Sequence, residues 1–214
     1  IISGTAASGI STYALRSRSA TAGSFTNSGT VTAANIENNG DIDNTSGTLI
    51  GKLTNNGTIS GGNITAKDGT INTGSINGST VEIEQGFANE GDISGTINIS
   101  NSGNLVNNGS ISGDVTNGGV FTSSLDKISG NIANNGTFKA TGGTLNTLIN
   151  GTGTTEITGN VNINGGSFGT TQSVSVLENS SLNIGSQIIE VNSFTLKGTL
   201  DIAVTNLVKN SSVY

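Results

Sequence analysis

Apolar residues occur singly along this sequence and at a fixed interval. Ile42, Ile59, Ile76 and Ile93 follow one another 17 residues apart, and Ile111 comes 18 later. Ile64 and Val81 keep the same step and are continued near Ile97 and Ile99. Ile36, Leu53, Ile71, Phe87 and Leu105 form a third series, with slips of one residue. Between them lie polar turns in which Asn-x-Gly-x-apolar recurs, as in Asn38-Asn39-Gly40-Asp41-Ile42 and Asn55-Asn56-Gly57-Thr58-Ile59. The glycines 40, 57, 74 and 91 hold the step of 17, Gly109 follows after 18, and Gly119, Gly136 and Gly153 restore it. A period of this size marks a repeat architecture. Three short apolar positions per period predict a parallel β-helix with a narrow interior. Roughly twelve coils stacked at about 4.8 Å make a rod of about 60 Å. The uneven spacing of Ile59, Ile64, Ile71, Ile76 and Val81 points to the right-handed form, because the left-handed triangular form repeats its aliphatics evenly.

The residue types suit such a coil. Each inward Ile contributes about 1.5–3 kcal/mol by leaving water. Asn before Gly tolerates a left-handed corner, and Gly supplies positive φ at little steric cost. Asparagines stacked coil on coil can also bond to one another. Three stretches of one domain, 1–214, follow from the texture. Residues 1–26, with Tyr13, Arg16 and Arg18, are less regular and read as a partial coil. Residues 27–168 carry the repeat, with a short coil or small excursion after Gly109, around Ser123–Lys127. From Gly169 the apolar residues crowd together, from Val174 and Val176 to Ile202 and Val204, which predicts wider coils and a more stable end.

Composition narrows the function. Charged residues are 10%, far below the quarter or so of ordinary domains, while hydrophobic residues reach 32% and recur in place, so the sequence is a folded repeat and not a disordered one. The net charge is −6, and eight scattered basic residues cannot track a phosphate backbone, which excludes nucleic acid as a partner. An anionic protein without an apolar run of about 18 residues neither docks on acidic lipid nor inserts in a membrane. The absence of Cys fits export, and the start Ile1-Ile2-Ser3-Gly4 reads as a fragment or a processed product.

Candidate chemistry is sparse. Without His or Cys there is no triad, no thiol nucleophile and no ordinary zinc site. Asp41-x-Asp43 sets two carboxylates on one strand face, suited to calcium or to a glycosidase pair, but Lys52 stands where a calcium loop needs its bidentate Glu. Glu82-x-Glu84 makes an acidic patch with Glu90 and Asp92, which reads as solubilising charge. Lys52, Lys67, Lys127, Lys139, Lys197 and Lys209 are too scattered to line a catalytic groove. No enzyme activity and no cofactor or metal is expected.

Phrases such as Asn55-Asn56-Gly57-Thr58-Ile59-Ser60-Gly61-Gly62-Asn63-Ile64 resemble the passenger domains of type V autotransporters, in texture the self-associating adhesins of the antigen 43 and AIDA type. Phe194-Thr195-Leu196-Lys197-Gly198-Thr199-Leu200-Asp201-Ile202 looks like the apolar coils that precede the translocator barrel in that family. The resemblance covers about residues 27–168. It implies a rod at the bacterial surface, anchored to the outer membrane through a region outside this sequence. Its partner would be a second copy on another cell, or a host or matrix receptor. The expected contact face is the exposed polar set Asn38, Asp41, Asn55, Thr58, Asn72, Asn89, Asp92, Asn107 and Asn134, for which corner ladders that stabilise the coil are the competing role. A structural stalk, a surface-layer element and the scaffold of a receptor-binding toxin are the alternatives. Ice binding ranks below them, because Thr-x-Thr does not recur at the coil period.

Overall fold

The computed structural model describes residues 5–6, 10–17 and 24–203. The protein is 61% strand and 2% helical, so sheet builds nearly all of the core. Its strands pair in parallel with the coil before and the coil after, giving a β-solenoid of about 11 turns. One register line shows the winding: Asp41 pairs with Thr58, Thr58 with Ser75, Ser75 with Asp92 and Asp92 with Ser110. These are the steps of 17 and 18 that the isoleucines predict.

Three long inward columns fill most of the interior, with a shorter one of Ala66, Ile83 and Ile99 beside the second. The first runs Phe25, Ile42, Ile59, Ile76, Ile93, Ile111 and Ile128. The second runs Val31, Leu49, Ile64, Val81, Ile97, Val115, Ile132, Ile149 and Phe168. The third passes from Ile36 and Leu53 through Phe87 and Leu105 to Phe121 and Phe138, whose ring centroids lie 5.0 Å apart. All of these side chains are buried in one uninterrupted cluster. Because side chains alternate along a strand, each residue beside a column residue faces out.

The third column corrects one expectation. Ile71 is 42% exposed, and the buried Thr70 takes the interior place between Leu53 and Phe87. Its hydroxyl donates to the Lys67 carbonyl at 2.7 Å and accepts from the Leu53 N–H at 3.1 Å. Two polar bonds thus hold a threonine where the spacing pattern suggests an aliphatic. Thr70→Val keeps the shape and strands a buried N–H, and is expected to cost about 1–3 kcal/mol, read as a lower urea midpoint with an unchanged native β-signal.

The glycines of the stacked turns, Gly40, Gly57, Gly74, Gly91 and Gly109, are also differently motivated. Neither they nor the asparagines before them have positive φ; Asn179 is the single non-glycine residue with positive φ among those described. These glycines stack. A Cβ on Gly57, Gly74, Gly91 or Gly109 would lie 1.9–2.1 Å from the carbonyl oxygen of the glycine one coil below. Close approach, not left-handed backbone, excludes a side chain there.

The excursion expected around Ser123–Lys127 is present, the bulge at Gly78 is not among the expected irregularities, and the widening begins before Gly169. The step from Asn104 to Val120 shortens to 16, and Leu125–Lys127 forms a 3-10 turn that folds Leu125 into the core. Gly78 bulges out of the strand Ser75–Ile83. Beyond Gly153 the coils widen: Thr154 pairs with Ser173, Asn160 with Ser181 and Ser173 with Ser193. At the other end Ile10 pairs with Val31, also a wider step than the repeat. Arg18 and Val204 lie outside the described residues. In the last described coil Phe194, Leu196 and Ile202 are exposed on their core-facing pattern, since no described coil stacks on them.

Candidate functional site

The Asn-Gly turns divide the polar residues into an inner and an outer set. Ile36 and Asn38 are two apart on one strand, so they point the same way, into the core. The same holds for Leu53 and Asn55, and for Leu105 and Asn107. Asn38 donates to Asn55, Asn55 to Asn72, Asn72 to Asn89 and Asn89 to Asn107, each from Nδ2 to Oδ1 at 2.7 Å. Asn107 ends the ladder on the Ser123 hydroxyl at 2.9 Å. Each amide also turns its second proton to backbone carbonyls, as Asn72 does to Gly74 and Asp92 at 3.2 and 3.3 Å. A second ladder joins Asn117 to Asn134, which also donates to Gln172, and a third joins Asn27 to Asn44. Among the described residues no buried side-chain polar atom lacks a partner.

Six of the nine residues expected on an exposed face are therefore interior. Asn38, Asn55, Asn72, Asn89, Asn107 and Asn134 are all buried, and the corner-ladder role is theirs. Parity with the neighbouring aliphatic places them inside. A buried amide survives there because the coil above and the coil below satisfy it. The other three remain outside and come together. Asp41, Thr58 and Asp92 stand in one outward column with Ser75 and Ser110, one residue per coil. Asp41, Asp92 and Ser110 are exposed, and Thr58 and Ser75 are half-buried. Beside it runs a second column, Asp43, Ser60, Asn77 and Ser94. With their short side chains, the two make a flat, hydroxyl-rich and acidic face about 20 Å long over five coils.

The carboxylates do not converge. Asp43 accepts from the Thr45 hydroxyl at 2.6 Å and from the Thr45 N–H at 3.1 Å, and these bonds, the hydroxyl first, hold its pKa below the usual carboxylate range. Glu82 accepts from Asn98, Glu84 pairs with Lys67, Glu90 accepts from Asn108 at 2.8 Å and Asp92 accepts from Ser110. The expected patch is thus four separately engaged acids. Among the described residues no group of three acidic side chains is placed to hold a metal ion.

Two surface features are not evident from spacing. The residue after each ladder asparagine builds an outer series, in which Asn56 donates to Asn39 at 2.8 Å and Thr73 to Asn56 at 2.7 Å. Ile71, Ala88 and Val106 stack into a short apolar strip on the outside of the third column's sheet. Strand parity exposes both once the inner residues are fixed. No protein-family model matches the sequence, and no curated protein or solved structure is significantly similar to it.

Proposed function

We propose that this protein is the rod of a bacterial cell-surface adhesin, of the autotransporter-passenger kind, which joins cells by pairing antiparallel with a second copy of itself. The column Asp41, Thr58, Ser75, Asp92, Ser110 carries the reading. Two such columns facing each other about a two-fold axis at Ser75 set Asp41 of one rod against Ser110 of the other, and Asp92 against Thr58. Every acid then meets a hydroxyl and no acid meets an acid, which is what an isologous contact requires. The Ser110 hydroxyl, which donates to Asp92 within its own face, turns to the opposing Asp41 in the pair. Hydrogen bonds of this type contribute about 0.5–1.5 kcal/mol each, so the contact is weak singly and holds cells through many rods at once.

Settling of bacteria that display the rod tests the register. Thr58→Asp sets acid against Asp92 and is expected to abolish clumping, whereas Thr58→Lys is expected to preserve or strengthen it, both with an unchanged β-signal. Thr58→Asp combined with Asp92→Lys is expected to restore it. Clumping that ignores all three overturns this face. No clumping by the unaltered rod favours the stalk reading instead, for which the stiff interior ladder is the supporting observation.

A further inference from the structure

We propose that Asn77 and Asn164 are sites of spontaneous deamidation, selected by the fold from eight Asn-Gly pairs in the sequence. The reaction needs only water. The backbone nitrogen of the following glycine loses its proton and attacks the asparagine Cγ. A new bond forms between that nitrogen and Cγ, the bond from Cγ to Nδ2 breaks, and ammonia leaves. Water then opens the cyclic imide at either carbonyl, giving aspartate or isoaspartate. An attacking nitrogen must be free of the coil-to-coil ladder, and the backbone must have room to bend toward its own side chain.

Most of the eight pairs are held. Gly109 and Gly136 donate their N–H to the carbonyls of Asn89 and Asn117 at 3.0 Å, and Gly118 donates to Ile99 at 2.8 Å. Gly40 donates to the Asn38 side chain at 3.2 Å. Gly57 and Gly151 lie hard against the coil below, with a carbonyl oxygen 2.0 and 2.3 Å from where a Cβ would sit. Asn117 is itself buried as a ladder member.

Asn77-Gly78 and Asn164-Gly165 differ in their glycines, which alone among the eight are exposed and uncrowded. Both asparagines and both glycines are exposed. Gly78 is the bulge residue, skipped by the pairing to the coils on both sides. Gly165 lies between the strands Asn160–Ile163 and Ser167–Phe168. The two glycines have φ of 65° and 80°, and nothing lies within 4 Å of a Cβ built on either. The product at residue 77 adds a negative charge to the column that already holds Asp43.

The test is incubation of the folded protein in mildly alkaline buffer, with peptide mapping by mass spectrometry over time. A urea-unfolded sample runs in parallel. Asn77 and Asn164 are expected to convert first, with Asn39, Asn56, Asn108 and Asn135 at least about ten-fold slower because a coil must open before they react. In urea the sites are expected to converge. Equal rates in the folded protein, or a ladder-turn site leading, overturn the proposal. Loss of the residue-77 product alone in Asn77→Ser confirms the assignment.

Discussion

Asn72→Asp lowers stability at neutral pH by about 3–5 kcal/mol, the cost of an uncompensated buried charge, and the loss shrinks in acid. In the native rod the Asn72 amide gives its protons to Asn89, Gly74 and Asp92, all of them acceptors, while its own oxygen receives Asn55. A carboxylate in that fully buried place faces three oxygens with nothing to donate. Its folded pKa therefore rises above the unfolded value of about 3.9. The neutral acid form is the one the fold accepts, so the variant keeps most stability below that value and loses it as pH rises through the folded pKa. Urea midpoints of the β-signal in acid and at neutral pH measure this. A deficit that stays constant across pH would mean that the ladder position is open to water.

Gly74→Ala tests what the turn glycines are for. Its methyl would sit 2.0 Å from the Gly57 carbonyl oxygen, a backbone atom that can retreat only if two coils part. The expected cost is about 3 kcal/mol or more, at the upper end of overpacking. Gly78→Ala is the comparison: the methyl meets open space but φ is 65°, so only about 1–2 kcal/mol of left-handed strain is expected. If positive φ were the reason for glycine throughout, Gly74→Ala would be the mild change and Gly78→Ala the severe one. Thermal melts of the two proteins decide the order.

The stack is legible in the sequence because its strongest signal, one isoleucine per coil in the series Ile42 to Ile111, is set by burial and repeats without exception. The third column is less so. Thr70 and Ile71 are adjacent, and only the bonds of the threonine hydroxyl to Lys67 and Leu53 decide which of them turns inward. The candidate face is legible in part: Asp41, Thr58 and Asp92 lie outside and in line, while the asparagines suggest surface because amides usually lie there. Their inward parity with Ile36, Leu53 and Leu105 is present in the sequence. The coil above that satisfies them is not. The wider coils are legible only from Gly169, where glycine thins out; the widening that begins after Gly153 runs through a stretch still rich in glycine, and its pairing does not follow from the sequence, since longer strands admit several registers.

The direction of the sheet bonds has a mechanical consequence. They all run along the rod, so a pull on the chain at its ends opens the bonds of the outermost coil one after another and does not shear all of them in parallel. Each coil of 17 residues that peels away turns about 4.8 Å of rod into roughly 55 Å of extended polypeptide. Under load the rod lengthens stepwise, shedding force as it does so, and its remaining coils stay intact.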